Sequence, residues 1–265
     1  MKRVGGVYLN GKRDFLTRRV RAGDCLKVIF YDEKTTMDPE NIALNIVYED
    51  DYLLAINKPR GMAVHPSGAY QKGTLANAIA YHWQTIGLVS KVRLVHRIDK
   101  DTSGLVLVAK EPYTLQRLLV QLHKRELIRE YLAIVKGRPL QPQGLITAPI
   151  GRSLDHGVKR TVVEEGKKAR TWYQVLKTES GVSLLRVRLE SGRTHQIRVH
   201  LAAEGHPLVG DPLYSEAGAD GPGQALHAWR LEFIHPRSQR RCNLYCPLPR
   251  EMLELWSRLR KGAQT

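Results

Sequence analysis

Four segments of the chain combine turn residues with side chains able to do chemistry. The first is His96-Arg97-Ile98-Asp99-Lys100-Asp101-Thr102-Ser103-Gly104, which leads straight into the apolar run Leu105-Val106-Leu107-Val108-Ala109. A polar loop mounted on a rigid strand is a good place to hold a reactive group. Asp99 is flanked by positive charge from Arg97 and Lys100, which suits a carboxylate that works as a nucleophile in its ionised form. The same residue could equally close an Asx-turn, and the residues alone leave both readings open. The second segment carries Tyr131, in Arg129-Glu130-Tyr131-Leu132-Ala133; by itself it reads as a core or edge aromatic. The third, Ser191-Gly192-Arg193-Thr194-His195-Gln196-Ile197-Arg198-Val199-His200, places a glycine and two arginines at a helix start, where free backbone N–H groups attract anions. His195 and His200 would lie about 140° apart around that helix, so they cannot share a face and a metal site is not expected. The fourth, Gly205-His206-Pro207-Leu208-Val209-Gly210-Asp211-Pro212-Leu213-Tyr214, reads as a rigid structural loop.

Composition narrows the class of partner. Lys and Arg number 42 against 26 Asp and Glu in 265 residues, a formal charge of +16. A surface this basic attracts polyanions, and nucleic acid is the expected partner. No apolar run is long enough to span a bilayer, and the first residues lack the apolar stretch of a secretory signal, so a cytoplasmic protein is expected. Three cysteines make no disulfide framework, and the C-x3-C pair Cys242 and Cys246 has no second pair to complete a zinc site. Neither a P-loop nor a dinucleotide fingerprint is present, so no cofactor is expected.

The elements that must position these residues read as follows. Val7-Tyr8-Leu9 followed by Asn10-Gly11 is a hairpin signal, and Ala22-Gly23-Asp24 a second turn before a strand from Cys25 to Tyr31. This makes residues 1–31 a module of their own, with 32–45 as a polar linker and 46–265 as the main domain. There, Ile46-Val47-Tyr48 and the run from Tyr52 to Asn57 form a hairpin, and Thr74 caps a helix through Trp83. Leu105 to Ala109 is apolar on both faces and suits a central strand. Pro112 opens a helix with Leu115, Leu118, Leu119 and Leu122 on one stripe, and Ile128 to Val135 is a further strand. Strands dominate from Gly144 to Leu189; a helix runs from Thr194 to about Glu204, a strand carries Trp229, Leu231 and Phe233, and a helix from Glu251 to Arg260 closes the chain. The mixture predicts an α+β fold on a mixed, largely antiparallel sheet with flanking helices, with nothing demanding more than a monomer.

Read together and in order, the motifs resemble a known family. His96-Arg97-Ile98-Asp99-x-x-Thr102-Ser103-Gly104-Leu105 looks like the signature of the RluA/RluD-type large-subunit pseudouridine synthases. Asn57-Lys58-Pro59-x-Gly61 with His65-Pro66, the Tyr131 segment, the Gly192 to His200 segment, and Gly205-His206-Pro207 through Gly210-Asp211 match in the same order, covering about residues 46–236. The family usually has Leu where Ile98 stands, an apolar swap of equal volume.

The resemblance implies a cofactor-free isomerase that converts a uridine of structured RNA to pseudouridine, with ribosomal RNA of the large subunit the first choice of substrate and tRNA the second. It implies Asp99 as the covalent catalyst, Tyr131 as the aromatic stacked on the flipped uracil, and Arg193 as the ion-pair partner of Asp99. Arg97 would enter the RNA in place of the flipped base, and Lys58, His96 and Arg198 would join it in RNA binding. The segment Val7 to Asp24 resembles the second half of an S4-like RNA-binding module, so 1–31 is expected to be a partial S4-like module.

Two other readings meet obstacles. Asp99 and Asp101 as the paired carboxylates of a glycoside hydrolase sit too close in one loop to flank a substrate. His96-Arg97-x-Asp99 as a kinase loop lacks its glycine-rich loop and Asp-Phe-Gly. A non-catalytic RNA-binding protein would have no use for Asp99, Tyr131 and Arg193 together.

Overall fold

A computed structural model describes residues 4–15, 17–30, 35–68, 70–153, 159–215 and 223–261. Three strands, β1 (Val4–Leu9), β2 (Lys12–Asp14) and β3 (Leu26–Phe30), form a small sheet in the order β2-β1-β3. Its hairpin turns at Asn10 and Gly11 with φ of 52° and 79°, the paired positive values that a two-residue turn demands. The strand expected to reach Tyr31 is described as far as Phe30; Tyr31 lies outside the described residues. Residues 35–45 carry no helix or strand but are tied to the next helix: the Asn77 side chain donates to the Asp38 carbonyl, and the Glu40 carboxylate accepts from Gly73 N–H.

The main sheet has ten strands. In chain order the remaining elements are β4 (Ile46–Glu49), β5 (Leu53–Lys58), α1 (Leu75–Thr85), β6 (Arg93–Leu94), β7 (Ser103–Ala109), α2 (Pro112–His123), β8 (Ile128–Lys136), β9 (Gln143–Ile146), β10 (Ile150–Arg152), β11 (Arg160–Val162), β12 (Thr171–Glu179), β13 (Val182–Leu189), α3 (Gln196–Ala203), β14 (Leu226–Ile234), β15 (Arg241–Tyr245) and α4 (Arg250–Arg260). The sheet runs β4-β5-β7-β14-β8-β13-β12-β9, with β6 on β7 and β15 on β14, while β10 and β11 pair separately. Every pairing among the described residues is antiparallel except β7 with β14. The fold is thus α+β on a mixed, mostly antiparallel sheet.

Burial explains why β7 sits centrally. All seven of its residues are buried. Val106 and Val108 face α1, whose Leu75, Ile79 and Trp83 join them in one core with Leu54 and Ile56. Leu105, Leu107 and Ala109 face the other way, toward Leu118 of α2 and Leu231 and Phe233 of β14. A strand sandwiched between two helices has no polar face, which is why its sequence is a continuous apolar run rather than an alternation. Thr74 caps α1 with a reciprocal capping box to Asn77. Met252 and Leu255 of α4 pack on Ile134 and Val209. No helix among the described residues is long and apolar enough to cross a membrane.

Gly104 makes the parallel crossing possible. Its φ is +108°, and a Cβ there would lie 2.2 Å from the carbonyl oxygen of Ala228 on β14. Only glycine lets the two backbones approach this closely.

Candidate active site

The loop bearing Asp99 joins β6 to β7 and is fastened from three sides. Ile98 is buried in the same core as Tyr131 and Val64. Thr102 N–H donates to the Asp99 carbonyl at 3.2 Å, closing the turn. From below, Lys58 at the end of β5 donates to the carbonyls of Pro59, Met62 and Lys100, each at 2.8 Å. Lys58 is 0% exposed, and the three carbonyls use all the protons of its ammonium form. Burial pulls its pKa down to about 7, against the opposing charges of Asp101 and Asp99. Lys58 therefore presents nothing to RNA. The expected RNA-binding role gives way to a structural one, because its charge is spent on the backbone beside Asp99.

The partner of Asp99 is Arg198. Its Nη1 lies 3.2 Å from Asp99 Oδ2, while Nε and Nη2 each donate to the Asp211 carboxylate at 2.8 Å. The Arg198 and Asp211 side chains are 5% and 0% exposed, and Asp99 keeps 26%. Burial would lower the Arg198 pKa, but the bonds and charge of Asp211, with those of Asp99, raise it instead, so the guanidinium stays charged. Asp211 also accepts from the N–H groups of Leu213 and Tyr214, and the Tyr214 ring lies under the Arg198 guanidinium at 5.1 Å. Tyr214 in turn accepts from Arg160 N–H at 2.8 Å and meets His195 Nδ1 at 2.9 Å.

This geometry corrects the expected pairing. Arg193 is exposed, and its Nε donates to the Lys168 carbonyl at 3.1 Å, away from Asp99. The reason lies in where α3 begins. His195 adopts φ 57°, so the helix starts at Gln196 rather than at Thr194. Arg193 is left in the approach to the helix, while Arg198 falls on its buried face. Arg198 is thus a partner of two carboxylates rather than a free RNA-binding cation.

His96 is also displaced from its expected role on an RNA-facing surface. It is 6% exposed and its Nε2 accepts from Leu107 N–H at 3.3 Å. Burial, helped by the charge of Arg129, pushes its pKa down to about 3, so it is neutral. Arg97 alone of the four expected RNA-binding residues is exposed. It lines, with Asp99, Tyr131, Arg193 and Arg198, an open cleft of about 1440 Å³. Tyr131 is 3% exposed in the wall of that cleft. Its pKa is raised by burial, lowered in part by Arg129 and raised again by Asp99, so its hydroxyl keeps its proton at neutral pH.

Asp211 and Tyr214 are the site residues that sequence reasoning missed. Both sit in the turn-rich segment read as structural. An acidic residue between glycine and proline was the available sign, but it is equally the signature of an ordinary turn.

A site built from an aspartate, an arginine and a tyrosine in a basic cleft on a mixed sheet has counterparts among known proteins. The family model for RNA pseudouridylate synthases matches residues 52–203, more than half of the chain and spanning β5 to α3. The ribosomal large subunit pseudouridine synthase D of Nitrosomonas europaea is 42% identical over 254 residues, covering 92% of this chain and 74% of that protein. Its namesake in Pseudomonas aeruginosa is 44% identical over 242 residues, with 85% and 74% covered. An uncharacterized RNA pseudouridine synthase of Bacillus subtilis is 40% identical over 254 residues, with 95% and 89% covered. Among solved structures, human RNA pseudouridylate synthase domain containing 4 superposes with a TM-score of 0.67 at 26% identity, covering 82% of this chain and 93% of that one. The chain belongs to the RNA pseudouridylate synthase family. It is an RNA pseudouridine synthase, an isomerase.

Proposed function

We propose that this synthase isomerises a uridine of large-subunit ribosomal RNA, with Asp99 as covalent catalyst and the target base flipped out of its stack. The observation that carries this reading is the partly exposed Asp99 carboxylate in the cleft, held at 3.2 Å by an Arg198 whose Nε and Nη2 are locked on Asp211. A carboxylate so placed keeps one oxygen oriented by a counter-charge while its exposed side faces a substrate. Ribosomal RNA is the substrate class because relatives with this much identity are named ribosomal large subunit pseudouridine synthase D.

The chemistry follows from the parts. The N1–C1′ bond breaks, the uracil turns, C5 bonds to C1′ and loses its proton, and N1 gains one, so the atoms balance without redox or a group donor. Asp99 would act by attack on C1′, by addition to uracil C6, or by removing a proton from C2′. Extracting the base costs a few kcal/mol. Stacking on Tyr131 returns about 1–3 kcal/mol, and cationic contacts with phosphate from Arg97 and its neighbours supply more. In this reading residues 1–31 are a partial S4-like RNA-binding module, 32–45 a linker and 46–265 the catalytic domain, working as a cytoplasmic monomer without a cofactor.

The test is the Asp99→Ala and Asp99→Asn pair in a tritium-release assay. Both are expected to abolish pseudouridine formation while RNA binding persists; normal activity in either sinks the assignment. Asp101→Asn should be far milder, and equal loss at both positions would favour a paired-carboxylate mechanism. Mapping of total RNA from a deletion strain is expected to lose a pseudouridine in large-subunit ribosomal RNA; loss confined to tRNA overturns the substrate class.

A further inference from the structure

Two buried donors in the cleft wall have no acceptor among the described residues. Arg129 lies two residues before Tyr131 on β8, so both side chains stand on the same face of the sheet. It is 6% exposed, yet no carboxylate among the described residues pairs with it. Of its five donors, one Nη2 proton reaches the Ser191 carbonyl at 3.1 Å, and Nε–H is buried without a partner. His96 is the second. Its Nε2 is an acceptor, so the neutral ring carries its proton on Nδ1, and that N–H is also buried and unpartnered. Both side chains line the cleft that holds Asp99.

A buried cation without a counter-ion is costly unless an opposite charge is supplied, and in a cleft wall a bound anion is in a position to supply it. The surroundings of Arg129 are shaped to keep it. A Cβ on Gly192 would come 3.0 Å from Arg129 Nη1, so the glycine at that position leaves room for the guanidinium. The neutral state of His96 leaves a donor beside the cation rather than a second, repelling charge.

We propose that Arg129, together with His96, is a substrate-contacting site that donates to a negatively charged oxygen of the flipped nucleotide. This rests on the reading of the cleft as the active site and deepens it. Breaking the N1–C1′ bond leaves the bonding pair on uracil, and addition of Asp99 to C6 also drives electrons onto the base. In each route the charge spreads to the uracil carbonyl oxygens, and buried, preorganised donors stabilise such charge strongly. A phosphate of the same nucleotide has the same chemistry, and kinetics separate the two.

The experiment uses single-turnover rates, RNA affinity at several salt concentrations and melting temperatures for the whole protein carrying Arg129→Met and Arg129→Lys. Arg129→Met is expected to fold and to lose on the order of 100-fold in rate, with part of it restored in Arg129→Lys. If the oxygen belongs to the uracil, RNA affinity and its salt dependence stay as in the wild type. If it belongs to a phosphate, affinity falls and the slope of log K against log salt shrinks by about 0.7–0.9. A folded Arg129→Met protein with wild-type rate and affinity overturns the proposal. Should Arg129→Met not fold, Gly192→Ala crowds the guanidinium instead: a lower rate at an unchanged melting temperature supports the proposal, and a wild-type rate overturns it. Asp99→Asn measured alongside keeps the two readings apart, because activity there would refute the active-site assignment whatever Arg129 does.

Discussion

Asp211 grips the guanidinium of Arg198 through two hydrogen bonds of 2.8 Å, which leaves Nη1 to reach Asp99. Arg198 therefore has its position set before any substrate arrives. Asp211→Asn keeps the shape but removes the charge and turns one acceptor into a donor facing a guanidinium. The expected result is a stability loss of about 3 kcal/mol, the scale for an uncompensated buried charge. Pseudouridine formation should fall with it, and denaturant melts beside a tritium-release assay check both.

The choice between the two arginines is tested directly. Arg198→Met is expected to cost at least about 100-fold in turnover, because it frees the Asp99 carboxylate and strands Asp211. Arg193→Met removes only an exposed bond to a carbonyl and should leave the rate of bound substrate near the wild-type value, raising KM at most. Comparable losses in kcat at both positions would contradict the geometry.

Lys58 acts on Asp99 through the backbone. Lys58→Met leaves the carbonyls of Pro59, Met62 and Lys100 without a donor, each a cost of about 1–3 kcal/mol. A large drop in melting temperature is expected, with reduced turnover and little change in RNA affinity. A marked fall in affinity alone would return Lys58 to the RNA surface.

Gly104→Ala should be among the most damaging single changes in the chain. The new Cβ meets the backbone of Ala228, which cannot swing aside, at a φ that L-residues avoid. The expected loss exceeds about 4 kcal/mol, enough to send most of the protein to the insoluble fraction.

Acid should unfold the protein through its buried imidazoles. Burial pushes His96 down to about 3 and His227 to about 4, the latter opposed by carbonyls of Cys246 and Pro247. Between those values and the ordinary 6.5 the unfolded chain binds more protons than the folded one. Stability is therefore complete above about pH 6.5 and lost as pH falls toward 4, by on the order of 3 kcal/mol for His227 alone. A melting temperature measured from pH 7 to 4 should fall more steeply for the wild type than for His227→Gln; parallel curves would refute this source of acid sensitivity.

Local signals carried much of the fold. The Asn10-Gly11 turn, the cap at Thr74, Pro112 at a helix start and the two-sided apolar run of β7 are all written in neighbouring residues, because backbone conformation answers to spacings of two to four positions. The ordered motifs around Asp99 and Tyr131, with the excess of positive charge, likewise pointed to RNA and to pseudouridine chemistry from the sequence alone. What the sequence could not decide is which charge meets which. Arg193 and Arg198 are both arginines near a helix start, and only the αL turn at His195 determines that the second falls on the buried face. Lys58 is 41 positions before Asp99 in the chain and Asp211 is 112 after it; they converge because β5, β7 and the loop after α3 pack together. Ion pairing depends on distance and burial in three dimensions, so the tertiary structure alone assigned Arg198 and Asp211 to Asp99, and left Arg129 with donors to spare.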